Sequence, residues 1–246
     1  MPSNIKKILA NIKNLAPESA ERLLNEEIEK SSKDYAELLY NLSKVQLARA
    51  LDVSPKERKA ILKRAKKTIK KAINIETTGD SLALKARTIG HQISITKAWR
   101  IKIKKALQVK VLLISFYKDV YFPNFQDLLD RLEEIDKNHE DYHLIRGMLL
   151  LAAASVPDFA QFFINLFCNT RIKALIDGSS YEKALQCLLK YRKSTMESNF
   201  FIMHCYLKMK NTKQAKERYN MMKKIEPANL YEKELLVKAR DELAKK

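Results

Sequence analysis

The sequence predicts an all-α protein in which antiparallel helix pairs stack on one another. Its 246 residues include only four glycines and six prolines, few for the turns of a sheet protein, whereas abundant Lys, Leu, Ala and Glu favour helix. Apolar residues recur three and four positions apart along most of the chain, which is the spacing of one buried helix face. Prolines suited to a first helical turn recur at intervals near one or two times about 34 residues, the length of a helix pair.

Apolar spacing and turn residues place the helices in order along the chain. In the first half they are Asn4–Leu15, Pro17–Lys30, Asp34–Leu51, Ser54–Ile75, Ser81–Ser94, and Ile95 to about Val120 as one long helix or two short ones. In the second half they are Pro123–Asp136, Glu140–Ser155, Asp158–Ile176, Tyr181–Arg192, Phe200–Lys210, Thr212–Ile225 and Leu230–Lys246. Ser54 is predicted to cap its helix, with Pro55 at the first position and Glu57 near the capping-box place.

The most regular stretch is Ser180–Pro227, where short turns join three amphipathic helices. Thr212 is predicted to cap the last of them, and Pro227 stops it because proline lacks the donor that a continuing helix needs. Two helices joined by so short a turn must pack antiparallel. The turn before Tyr181 contains Gly178, which indicates that another helix ends there.

This stretch resembles a tetratricopeptide repeat, whose signature is a spaced Trp, Leu, Gly and Tyr followed by Ala, Phe and Pro. The matching residues are Tyr206, Ala215 and Pro227, with Ile202 and Tyr219 as conservative replacements. Asn199 replaces the tryptophan, and Met203 replaces the small residue at which the two helices touch. A second match is the spacing of Ala65, Ile69 and Ala72 in the helix after Ser54.

The resemblance implies a right-handed α-solenoid forming a single helical-repeat domain over residues 1–246. Within it we expect N-terminal helices or a cap at 1–53, a basic helical segment at 54–120 and tetratricopeptide-like repeats at 121–229. The charged helix 230–246 is expected to be the solvating cap that stacked repeats need.

Positive charge is concentrated in about a quarter of the chain. The formal net charge is +18, and Ser54–Lys118 holds 18 Lys and Arg against three acidic residues, a net charge of +15. Because a solvated face usually mixes both signs, this stretch indicates either a surface for an acidic partner or a merely soluble face. The candidate basic patch is Lys59, Lys63, Lys66, Lys70, Lys97, Trp99, Arg100, Lys102 and Lys104.

Trp99 is the only tryptophan and lies beside Arg100 in this basic stretch. An exposed tryptophan could stack on a base or anchor a partner, whereas a buried one would fill the repeat core. No standard signature of a nucleic-acid-binding module accompanies it. Both interpretations of Trp99 therefore stay open at the level of sequence.

The resemblance also implies a partner-binding groove on the first helix of each repeat. In the best-matched repeat the groove positions are Phe200, Phe201, His204 and Lys208. They depart from the Lys, Asn and Arg pattern with which some relatives hold the C-terminal carboxylate of chaperones, and an aromatic groove suits an apolar peptide or a helix. We therefore expect a non-catalytic protein-interaction scaffold that binds an acidic or amphipathic segment; the alternative is an RNA-binding helical repeat that uses residues 54–118.

One short stretch matches a zinc-protease sequence motif. His139-Glu140-Asp141-Tyr142-His143 fits H-E-x-x-H. His139 falls where the chain is still turning, Asp141 puts charge where that family has an uncharged residue, and no further His or Glu follows until Glu182. We therefore expect no metal, no cofactor and no enzymatic activity, since nothing assembles a catalytic constellation.

The three cysteines, Cys168, Cys187 and Cys205, lie among apolar helix residues without ligand-like spacing, which predicts buried free thiols. That usage suits a reducing compartment, so we expect a cytoplasmic protein. Met1–Leu15 carries lysines where a signal peptide has its apolar core, and the most apolar run, Gly147–Val156, is shorter than the roughly 20 residues that cross a bilayer. The oligomeric state is not predicted.

Overall fold

The computed structural model describes residues 3–12, 14–30, 35–95, 122–156 and 170–245. Every regular element in these ranges is an α-helix, which confirms the all-α prediction. None of the helices in these ranges is both long enough and apolar enough to cross a bilayer. The helices are α1 (Ser3–Ile12), α2 (Pro17–Lys30), α3 (Ala36–Leu51), α4 (Pro55–Ile75), α5 (Gly79–Ile95), α6 (Phe122–Ile135), α7 (Tyr142–Ala154), α8 (Thr170–Asp177), α9 (Tyr181–Lys190), α10 (Met196–Lys208), α11 (Thr212–Lys223) and α12 (Leu230–Leu243).

The helices form two compact units, residues 1–95 and 96–246. In the first unit each helix from α1 to α5 packs against the next, and α3 also contacts α5. Most apolar residues of α4 are spaced three and four apart and face inward, as the sequence predicts. The buried ones are Ile61, Leu62, Ala65, Ile69, Ala72 and Ile73.

The α3–α4 hairpin is closed by a buried arginine. Arg58 is only 2% exposed; its Nε donates to the carbonyl of Ala50 at 3.0 Å, and its Nη2 donates to that of Val53 at 2.9 Å. Arg58 therefore caps the end of α3 from the first turn of α4. Pro55 is the first residue of α4 as predicted, but the Ser54 side chain accepts no amide of the helix, and its hydroxyl donates to the Glu57 carboxylate at 2.8 Å instead.

In the second unit, α7, α10 and α12 form one set of helices, and α9 and α11 form a second set that packs against the first. Helices α7, α10 and α12 contact one another in that order, while α9 packs against α7 and α10, and α11 packs against α10 and α12. Helix α8 contacts α6 and α7, which also contact each other. The Tyr142 hydroxyl of α7 fixes this last contact, because it donates to Glu133 of α6 at 2.7 Å.

Helix α9 packs on α7 within the described ranges. Gly147 of α7 allows this contact, since a Cβ placed there would lie 2.6 Å from Leu188 Cγ of α9. Residues 157–169, which hold most of the predicted helix Asp158–Ile176, lie outside the described residues.

The α10–α11 pair matches the sequence prediction closely. Helix α10 begins four residues earlier than predicted, behind a capping box formed by Thr195 and Ser198. It ends in a Schellman turn: Lys210 adopts a φ of 60°, and the Asn211 amide donates to the Tyr206 carbonyl at 2.9 Å. The cap of α11 is Asn211, not Thr212 as predicted, because the Asn211 side chain accepts the amide hydrogen bond of the first turn.

Candidate functional site

The four predicted groove residues lie on α10 with very different exposures. Phe200 is only 3% exposed, Phe201 and His204 are half-buried, and Lys208 is exposed. The inner part of Phe201 packs against the apolar cluster that α7, α9 and α10 share. The fold thus covers Phe200, whereas Phe201 and His204 remain partly accessible and Lys208 is exposed.

Helix α12 lies against the rest of this face. The Lys238 Nζ stands 4.9 Å from the centroid of the Phe200 ring, and His204 Nδ1 hydrogen-bonds the Glu242 carboxylate at 2.8 Å. The Tyr231 hydroxyl donates to buried Glu197 at 3.5 Å, a long contact. The three α12 residues are seven and four positions apart, so they share one side of that helix.

The predicted basic patch falls on α4 and on residues outside the described ranges. Lys59, Lys63 and Lys70 are exposed, and Lys66 is half-buried. Burial lowers the pKa of Lys66, and the like charge of Lys70 lowers it further. The remaining predicted residues lie outside the described part of the chain: Lys97, Trp99, Arg100, Lys102 and Lys104.

Two further exposed lysines, Lys67 and Lys71, complete the α4 surface on the side opposite the buried residues of the helix. With Lys59 and Lys63 they form a row at four-residue intervals, a spacing that is visible in the sequence itself. No carboxylate of the described residues pairs with any of these four lysines. We call the surface formed by Lys59, Lys63, Lys66, Lys67, Lys70 and Lys71 the α4 lysine face.

Sequence reasoning missed a charged cluster where α2, α3 and α4 meet. Glu21 is 5% exposed and accepts from Arg49 Nη1 at 2.8 Å and from Gln46 Nε2 at 3.1 Å, while Arg64 Nη1 lies 4.0 Å away. The hydrogen bond to Glu21 raises the pKa of Arg49 above its usual value. The cluster lines a cleft of about 530 Å³ together with Glu18 and other polar residues of α2. Its charges are paired across α2, α3 and α4, so the cluster helps to hold these three helices together.

The two histidines of the zinc-protease motif do not lie on one helix. His139 lies in the turn before α7, where its Nδ1 accepts the amide of Asp141 at 3.2 Å. His143 lies in the first turn of α7, and burial lowers its pKa, with Lys190 and Arg146 adding to the effect. Within the ranges that the structure describes, no three His, Cys, Asp or Glu side chains come together in a metal-binding cluster.

Two of the three predicted free thiols can be placed. Cys205 is fully buried, as predicted, and burial raises the pKa of its thiol to about 12. Cys187 is a free, half-buried thiol on α9. A thiol that stays protonated is a poor nucleophile, so Cys205 contributes to packing. Cys168 lies outside the described residues.

Comparisons with known proteins add nothing to this geometry. No protein-family model matches the sequence, and no curated protein matches it either.

Proposed function

We propose that the chain is a non-catalytic, tetratricopeptide-like scaffold, a right-handed α-solenoid that holds a peptide or helix of a partner protein. The observation that carries the proposal is the order of helix contacts in the second unit. Helices α7, α10 and α12 touch in sequence, and α9 and α11 fill the spaces behind them. A stack of helix pairs requires this order, because each pair buries its apolar side against its neighbours.

Small residues at the helix contacts support the same proposal. Gly147 gives α7 close access to Leu188, and the alanines at corresponding places of α9 and α11, Ala184 and Ala215, are fully buried. The tetratricopeptide signature has a small residue on each helix of a pair. In α10 that place is taken by Met203, which is fully buried as well.

The contacts of α12 support a helix as the kind of ligand that α10 accepts. One side of α12 presents Tyr231, Lys238 and Glu242 to a carboxylate, an aromatic ring and a histidine of α10. Beside this contact, Phe201 is a partly accessible aromatic side chain and Lys208 is an exposed positive charge. An amphipathic partner helix with an acidic residue matches these two side chains.

Affinity capture from a nuclease-treated native lysate tests the scaffold. The test variant combines Phe201→Ser with Lys208→Glu, and the control combines Leu189→Ser with Lys190→Glu on the exposed side of α9. Both remove one apolar side chain and reverse one charge. We expect wild type and control to retain the same proteins and the test variant to lose them by at least about tenfold, the effect of an interface anchor.

Equal retention by the test variant and the control would remove α10 as the binding face. Proteins that are captured only before nuclease treatment would show that nucleic acid holds them, and the scaffold proposal would fall. Far-ultraviolet circular dichroism of all three proteins ensures that a loss reflects the surface and not the fold.

A further inference from the structure

Five exposed lysines of the α4 lysine face, Lys66 excepted, carry a positive charge that no carboxylate of the described residues neutralises. Lys59, Lys63, Lys67 and Lys71 are exposed, and no carboxylate of the described residues pairs with them or with Lys70. Like charges four residues apart on a helix repel each other and destabilise it. The face contains four such pairs: Lys59–Lys63, Lys63–Lys67, Lys67–Lys71 and Lys66–Lys70. An external polyanion would relieve this repulsion.

The arrangement of the charges is regular. Four residues of α-helix advance about 6 Å, so the lysine row repeats at that interval and extends over about 18 Å. Lys66 and Lys70 lie one position before Lys67 and Lys71 and broaden the row into a band. Lys66 is half-buried, unlike the other lysines of the face.

The face offers charge with little apolar surface. Every large aliphatic residue between Lys56 and Asn74 is buried in the first unit, and the exposed one is Ile75, four positions after Lys71 at the end of the helix. A helix that inserts into a membrane surface needs an apolar side for the lipid. A protein interface needs apolar or aromatic anchors and is usually poor in lysine. A phosphate backbone needs neither, because lysine contacts and counterion release supply most of its binding energy.

We propose that the α4 lysine face is a binding site for the phosphate backbone of single-stranded nucleic acid, separate from the scaffold surface on α10. Each lysine of the row contacts one phosphate and displaces condensed counterions. Backbone contacts fix position but carry no base information, so binding at this face is independent of base sequence.

The test measures fluorescence anisotropy of labelled single-stranded DNA and RNA of about 20 nucleotides, titrated with the full chain at several salt concentrations. The test variant replaces four lysines of the row by glutamine: Lys59, Lys63, Lys67 and Lys71. The control replaces four exposed lysines of the second unit by glutamine: Lys213, Lys216, Lys224 and Lys233. Both variants lose the same net charge, and neither touches residues 96–118.

For the test variant we expect affinity at about 0.1 M salt to fall at least about 30-fold and the slope of log K against log salt to become less steep by about 3, since each contact contributes about 0.7. The control should stay within about threefold of wild type. Equal losses in the two variants, or no loss in the test variant, would overturn the site.

Competition identifies the class of ligand. An unlabelled oligonucleotide should displace the labelled strand at a concentration at least about tenfold lower than a glutamate peptide of equal charge. If the peptide competes equally well or better, the face belongs to an acidic protein segment and the nucleic-acid assignment is wrong. The scaffold test changes residues of α10 in nuclease-treated lysate, whereas this test changes residues of α4. Either proposal can therefore fail without affecting the result for the other.

Discussion

Gly147 is the residue that sets how closely α7 and α9 approach. A Cβ at this position would lie 2.6 Å from Leu188 Cγ, 2.7 Å from Leu188 Cδ2 and 3.3 Å from the Leu188 amide nitrogen. Leu188 is fully buried, so its side chain has no space to turn aside. A glycine inside a helix costs about 1 kcal/mol relative to alanine, which close packing against α9 offsets here.

We therefore predict that Gly147→Val destabilises the protein by at least about 2 kcal/mol, because the added atoms overpack the α7–α9 contact. The control is Lys216→Val at an exposed position of α11, which reports only the lower helix propensity of valine. Urea unfolding followed by circular dichroism measures both free energies. Equal losses at the two positions would mean that the contact with Leu188 carries no strain.

The α3–α4 hairpin shows how one side chain joins two elements. Arg58 belongs to α4, but both of the carbonyls that it caps, Ala50 and Val53, lie at the end of α3 or just beyond it. A second bond joins the two helices farther along, since the Ser43 hydroxyl of α3 donates to the Ala65 carbonyl of α4 at 3.0 Å. The geometry of the hairpin therefore depends on polar contacts as well as on its apolar seam.

Replacing Arg58 by methionine should lower the free energy of unfolding by about 2 to 4 kcal/mol, because the two carbonyls lose their donors inside the fold. Arg58→Lys should restore only a small part of the loss, since an ammonium group does not reproduce the fork of a guanidinium. Lys59→Met on the exposed side of the same helix is the control. Thermal and urea unfolding measure the effect. A loss below about 0.5 kcal/mol for Arg58→Met would contradict the capping role.

At the scale of the whole molecule, the described helices divide into two compact units at residues 95 and 96. The first unit has its own apolar cluster around Leu24, Leu38 and Leu42, and the second has one around Leu144, Leu188 and Ile202. A domain with its own core can fold alone. The division falls inside the basic segment 54–120 that the sequence predicted within a single domain.

We expect fragments 1–95 and 96–246 to fold separately when they are produced alone, because each retains the contacts that bury its apolar residues. Each fragment should be helical by circular dichroism and should unfold cooperatively on heating. A fragment that lacks a cooperative transition, while the full chain has one, would show that its core needs the other unit.

The elements that the sequence predicted well are those with strong local signals. The helix after Ser54 begins at Pro55 and buries Ile61, Leu62, Ala65 and Ile69, as three- and four-residue spacing requires. Boundaries without such signals shifted: α5 begins at Gly79, two residues before the predicted start at Ser81. The Thr78 hydroxyl accepts a hydrogen bond from the Ser81 amide in the first turn of this helix, at 3.1 Å.

The candidate surfaces were predictable to different degrees. The lysines of α4 follow from helical spacing alone, because residues opposite a buried side must face water. The groove on α10 did not follow in the same way. Which of its residues stay accessible depends on α12, whose Lys238 and Glu242 meet Phe200 and His204 from 38 positions away. A contact between residues so far apart in the chain produces no repeating pattern in the sequence.

By itself the sequence determined the helical class, the buried side of α4 and the pairing of α10 with α11, since these depend on propensity, periodicity and turn chemistry over a few residues. Only the tertiary structure decided that α9 packs on α7 through Gly147 and that Glu21 is paired with Arg49 and Gln46. The physical reason is that periodicity reports which side of a helix avoids water, whereas the neighbour that covers it is chosen by shape and charge across the folded chain.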